Sequence, residues 1–332
     1  MADPVLEWLL DAGNPSVRYL TLTELLKKPD SDPEVMAAKR AIMTQGLVPR
    51  ILSLQNDDGS WVIPEKFYTL KYTGTVWTLM ILADLAADPA DPRVRKACEF
   101  ILEHSWSPES GGFAYSQSAR TKNGLASAVL PCLTGNMVSS LIRLGYLDDS
   151  RVQQAISWIS TWQRADDGIE KMPEGTLYKH YPMCWGRHSC HMGVAKAMKG
   201  LAEIPAERRS PAAAAKLDEL AGYFLIHHLY KRSRNLDEIS RPGWLKPAFP
   251  LMYQTDILEL LGIFASLGRW DPRLKDALGI LKDKMAADCR WNLENTSNGK
   301  MLVRIEQKGA PSRWITLKAR LVLQQFADCL ES

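Results

Sequence analysis

An all-α fold, built from helical hairpins and closed into a ring, follows from three observations on this 332-residue chain. The first is a recurring phrase: Asp32-Pro33-Glu34-Val35, Asp91-Pro92-Arg93-Val94, Asp149-Ser150-Arg151-Val152 and Asp271-Pro272-Arg273-Leu274. The Asp residues stand 59, 58 and 122 apart, the last interval being two periods with a weaker copy at Ser210-Pro211-Ala212. A period near sixty exceeds that of the common open helical solenoids. The second is helical periodicity on both sides of each phrase, apolar over more than one face before it and amphipathic after it. The third lies in the connections, about four residues within a pair and roughly twenty or more between pairs. Short links make antiparallel hairpins, and the long links then gather at one end.

Each element can be justified in turn. Asp or Ser before Pro is an N-cap followed by a first-turn residue, so every phrase opens a helix. The stretches before the phrases, such as 76–83, 137–144 and 257–264, read as buried inner helices; those after, such as 94–103 and 152–162, read as outer ones. Five hairpins are complete. Residues 314–326 read as an inner helix lacking an outer partner, and residues 5–10 as a helix lacking an inner one. Joining them predicts one domain over residues 1–332, a closed toroid of six hairpins. Asn298-Gly299 predicts a small β-hairpin turn within a long loop.

Composition narrows the function classes. The net charge is +3, from 41 basic and 38 acidic residues interspersed along the chain. That leaves no footprint for nucleic acid. No apolar run reaches membrane-spanning length, the best ending at Asp84, so any membrane contact would be peripheral. The start of the chain lacks signal-peptide character, and six cysteines without a Cys-x-x-Cys pair suit a reducing compartment. The expectation is a cytoplasmic protein.

The segment Gln55-Asn-Asp-Asp-Gly-Ser-Trp61 resembles the glutamine–tryptophan motif of squalene–hopene cyclases, with weaker forms at Gly111-Gly112-Phe113 and at 163–168. The chain therefore resembles the α/α-toroid superfamily of terpenoid cyclases and protein prenyltransferases. In that superfamily the motif is structural, so the resemblance implies fold more firmly than reaction. It also implies an isoprenoid-like, apolar substrate in a central cavity. The Asp-x-Asp-Asp acid tetrad of class II cyclases is absent, which leaves Asp256 as a lone candidate acid or N-cap and His191 as the other candidate acid or base. Tyr72, Trp185, Trp244, Tyr253 and Trp314 are the candidate substrate-binding aromatics.

Aligning the copies places Cys132, Cys190, His191 and Asp256 at the heads of three inner helices, facing the long connections. Cys, Cys and His are ligands that zinc prefers. Cys132, Cys190 and His191 are accordingly the candidate zinc set, similar to the site of lanthionine cyclases, which share the toroid. Two alternatives thus stand beside a cyclase-like enzyme: a zinc enzyme activating a thiol or water, and a non-catalytic toroid that binds a lipid or a protein.

Overall fold

The structure is a computed structural model and describes residues 3–330. In chain order its helices are α1 (Pro4–Leu9), α2 (Pro15–Leu20), α3 (Pro33–Thr44), α4 (Leu47–Leu52), α5 (Thr75–Asp84), α6 (Pro92–His104), α7 (Pro131–Arg143) and α8 (Ser150–Trp162). They continue with α9 (Thr176–His180), α10 (His191–Ala202), α11 (Pro211–Ile226), α12 (Ile257–Ser266), α13 (Lys275–Asp283), α14 (Arg313–Gln325) and α15 (Ala327–Leu330). A π-helical turn, Thr21–Leu25, extends α2. No helix among the described residues is long and apolar enough to cross a membrane.

The recurring phrase works as a cap reinforced by its own arginine. Asp91 Oδ1 accepts the Arg93 backbone N–H at 2.8 Å and Arg93 Nε at 3.0 Å, while Oδ2 accepts Nη2 at 2.7 Å. Asp149 with Arg151, and Asp271 with Arg273, repeat this fork. One side chain thereby satisfies an orphan N–H of the first turn and holds a bidentate ion pair. Asp32, followed by Glu34 in place of Arg, keeps the cap and pairs instead with Lys28 at 3.3 Å.

Burial separates two layers. Every residue of α5 from Thr75 to Ala83 is buried, whereas α3 buries only the stripe Val35, Ala38 and Ile42. Inner helices contact one another in the order α5, α7, α10, α12, α14, α2, and α3, α6, α8, α11 and α13 pack outside their own partners. Contact is tightest between α7 and α10, where small residues let the backbones meet. A Cβ added at Gly135 would lie 2.2 Å from the Lys196 carbonyl carbon.

The two ends of the chain meet through side chains. Arg313 Nε donates to the Trp8 carbonyl at 3.1 Å and Nη2 to Asp11 at 2.9 Å, while Arg320 pairs with Asp3. Trp8 lies between the guanidinium groups of Arg290 and Arg313, 4.3 and 4.6 Å from its ring centre. These are the helices, α1 and α14, that the sequence leaves without partners.

The glutamine–tryptophan segment is a structural clamp. Gln55 Nε2 donates to the carbonyls of Gly59 and, across to α6, Arg93. Trp61 is fully buried, its Nε1 on the Ile51 carbonyl and its N–H on Thr75 Oγ1. A second clamp escapes the sequence reading: Trp291 donates Nε1 to the Leu281 carbonyl and N–H to Thr316 Oγ1 in the same manner. Its signal is hidden because Cys289, at φ +60°, stands where the first copy has Gly59 at φ +93°.

One element lies elsewhere than expected. The β-hairpin is formed by Lys231–Arg232 and Asn235–Ile239, not around Asn298-Gly299. Asn298 instead spends its amide across the loop, Oδ1 accepting the Ile305 N–H at 3.2 Å and Nδ2 donating to the Glu306 carbonyl. Side-chain bonds of this kind compete with a strand ladder.

Candidate functional site

The heads of α7, α10 and α12 lie beneath the long connections, and the candidate residues are distributed among three neighbourhoods there. The first is a cavity of about 170 Å³ whose wall includes Asp256, Tyr72, Lys246, Met252, Asn295 and Lys300. Asp256 caps α12: Oδ1 accepts the Glu259 N–H at 2.8 Å, and Oδ2 accepts the Ala248 N–H at 2.9 Å. Only 2% of it is exposed. Burial pushes its carboxyl up to about 6, against the two N–H bonds that favour the charged form. Each oxygen keeps a free lone pair, so the cap role leaves room for a proton.

The second neighbourhood is a run of aromatic rings across the mouth. Tyr68 and Trp77 are 4.9 Å apart, Trp77 and Tyr253 5.9 Å, Tyr68 and Tyr115 6.0 Å, and Tyr115 and Tyr181 6.4 Å. Of the five aromatics expected to bind substrate, Tyr72 lines the cavity. Tyr253 leans on Trp77, with the Lys71 ammonium 5.3 Å from its ring centre. Trp185 is fully buried among Trp158, Tyr178 and Tyr181, Trp244 is stacked on His191, and Trp314 is stacked on Phe249 at 4.2 Å. These last three are buried and packed against neighbouring rings.

The third neighbourhood holds the thiols. Cys132 lies near Cys184 and Cys190, and burial first, then these two sulfurs, push its thiol up to about 12. His191 belongs to a different group. Its ring is stacked on Trp244 at 3.9 Å, Nε2 faces the Leu229 carbonyl at 3.2 Å, and burial pushes it down to about 3. A neutral, stacked imidazole is thus a packing element with one nitrogen already engaged. Cys132, Cys190 and His191 are therefore not gathered as ligands. Among the described residues no three His, Cys, Asp or Glu side chains are grouped to hold a metal ion.

The interior beneath these sites is also unlike the expected apolar cavity. All six inner helices, α2 through its π-helical turn, contribute charged groups there: Lys196 is buried, Asp84, Lys199, Glu203, Glu259 and Lys318 are half-buried, and Glu24 and Arg143 are exposed. Lys196 is fully buried and donates to both Glu259 oxygens at 2.7 Å. Arg143 bridges Asp84 at 3.1 Å and Glu203 at 2.6 Å, and Lys199 lies 3.7 Å from Glu259. Burial opposes ionisation of Asp84, yet the surrounding Lys199, Lys318 and Arg143 hold it below its ordinary value. Burial likewise pushes Lys318 down and Glu24 up. Sequence reading passed over these residues because charges scattered singly or in twos along a helix carry no mark of the face they share. Asp84 registered there only as the end of a hydrophobic run.

Neither a protein-family model nor a curated protein matches the chain. Solved structures are similar to it over nearly its whole length. A glycosyl hydrolase of family 88 from Bacteroides vulgatus has TM-score 0.50 at 12% identity, covering 99% of this chain and 94% of that one. A protein from Actinoplanes has TM-score 0.45 at 13% identity, covering 96% and 90%. The type II terpene cyclase MstE from Scytonema has TM-score 0.44 at 12% identity, covering 99% of each chain. Of these three, the hydrolase likeness is strong enough to speak for the fold, and at 12% identity it speaks for the fold alone. The fold is of the α/α-toroid kind, with a small antiparallel β-hairpin.

Proposed function

We propose that this chain is a single-domain toroid enzyme, its ring closed by α1 against α14, in which Asp256 donates a proton to a substrate entering the mouth cavity. The observation that carries this reading is the position of Asp256, a desolvated carboxyl in the wall of that cavity. An acid whose pKa burial raises to about 6 keeps a protonated fraction of about a tenth at neutrality, far more than an ordinary aspartate, and general-acid chemistry draws on that fraction. The substrate class we propose is isoprenoid-like with a polar or anionic head. Lys246, Lys300 and Asn295 suit the head, and Tyr72 and Met252 offer the apolar contact. A wholly apolar substrate passing through the ring axis is disfavoured by the buried Lys196–Glu259 pair set between the inner helices.

The test uses C15 and C20 prenyl diphosphates and their free alcohols as probes, with products separated by mass spectrometry. Asp256→Asn keeps an oxygen for the Glu259 N–H cap and removes the acid. Turnover should fall about 10²- to 10⁴-fold in this variant, and the thermal midpoint should drop with the loss of the Ala248 N–H bond, worth about 1–3 kcal/mol, so turnover is compared at a temperature where both proteins are folded. Undiminished turnover in Asp256→Asn would sink the proposal.

A further inference from the structure

The segment before α10 folds back on itself as a short antiparallel turn, with Trp185 bridged to Ser189. That register places Cys184 directly opposite Cys190, and the Cys190 N–H donates to the Cys184 carbonyl at 2.9 Å. One backbone bond joins the two residues, the Cys184 N–H turning to the Tyr181 carbonyl, and residues opposed in this way have Cα atoms about 5.5 Å apart, within the span of about 4.4–6.8 Å that a disulfide accepts. Residues opposed across such a bridge point to the same face, and the Cys190 sulfur is near enough to act on the Cys184 thiol. Both residues are partly exposed, and both are free thiols. Nothing in the proposed acid chemistry uses them.

We infer that Cys184 and Cys190 are a redox modification site, a dithiol that closes reversibly to a disulfide by exchange with a low-molecular-weight disulfide. Cys190, at the N-cap position of α10, is the attacking sulfur. It displaces one thiolate from the small disulfide, leaving a mixed disulfide on Cys190. Cys184 then attacks the Cys190 sulfur, its proton passes to the departing thiolate, and a second small thiol leaves. Two protein thiols are oxidised and one small disulfide is reduced to two thiols. The thiol of Cys184 is raised to about 12 by burial, which slows its attack on an external reagent. In the second step its target is held beside it, and proximity offsets the scarcity of thiolate. Cys132 lies near both sulfurs but outside the ladder, so the opposed pair closes first.

The full chain, incubated with glutathione disulfide, is alkylated and digested with trypsin. Cleavage after Lys179, Arg187 and Lys196 separates the two cysteines into peptides 180–187 and 188–196. The expected result is loss of two alkylatable thiols and recovery of these peptides as one linked species, released by reductant. Cys184→Ser should stop at a stable single adduct on Cys190, and Cys132→Ser should leave the linkage intact. An unchanged thiol titre in folded protein overturns the inference, as does a bridge that joins Cys132 to either residue.

Discussion

Asp256 uses one carboxylate for two purposes: it ends the N–H deficit of α12 and walls the cavity. Its burial has a thermodynamic consequence that can be measured without any substrate. With a pKa of about 6 in the fold against an ordinary 3.8, the folded protein holds a proton that the unfolded chain has already released between those values. Stability owed to this group is therefore greatest below the ordinary value and declines as pH rises through 6. Asp91, Asp149 and Asp271 act in the opposite sense, because their Arg-paired carboxyls lie below the ordinary value and lose their contribution as pH falls. Subtracting Asp256→Asn from the parent isolates the single acid. The difference in unfolding free energy should shift toward the parent as pH falls from 7 to 4, by at most about 1.4 kcal/mol per unit. Parallel curves for the two proteins would show that this carboxyl is ordinary.

At the scale of elements, the same side-chain logic recurs in each hairpin and departs from it where helices touch. The Asp–Arg forks of α6, α8 and the turn before α13 are interchangeable parts, and the recurring phrase announces them. The α7–α10 contact is individual. Gly135→Ala would drive a methyl into the Lys196 backbone and should cost about 1–3 kcal/mol or more, since both helices are packed on their other faces. Gly222, inside α11, has nothing within 4 Å of an added Cβ. Gly222→Ala should accordingly stabilise the protein by about 0.5–1 kcal/mol. Urea titration of the two variants reads both signs, and an equal response would remove the packing argument. Trp291 belongs to this scale too. Its clamp matches that of Trp61 bond for bond, yet it was not legible, because Cys289 replaces the glycine that marks the turn.

For the whole molecule, the interior charges matter more than any one hairpin. Lys196 and Glu259 form a buried pair, and removing one partner strands the other's charge. Lys196→Met should cost about 3–5 kcal/mol, while the double variant Lys196→Met/Glu259→Leu should recover most of it. Equal losses in single and double variants, measured by chemical denaturation, would show that the pair itself stabilises the ring. Arg143 pairs with residues on both neighbouring hairpins, so loss of its side chain should loosen three inner helices together.

The sequence by itself determined the hairpins, their order and the cap residues. These rest on local signals: an N-cap, a 3.6-residue period, a short link, and a repeat whose length makes adjacent copies neighbours. It also brought Cys132, Cys190, His191 and Asp256 to the heads of inner helices, because helix starts are local. Only the tertiary structure decided which of them share a neighbourhood. His191 turned to Trp244, Cys190 turned to Cys184, and Asp256 turned to a cavity built by distant loops. The charged interior was equally hidden. Lys196 and Glu259 are 63 residues apart, Arg143 and Glu203 60, Arg143 and Asp84 59. Each separation is about one repeat, so the period named the neighbouring helix. A helix buried on every side carries no sequence mark of the face that meets the axis, and that choice belongs to packing.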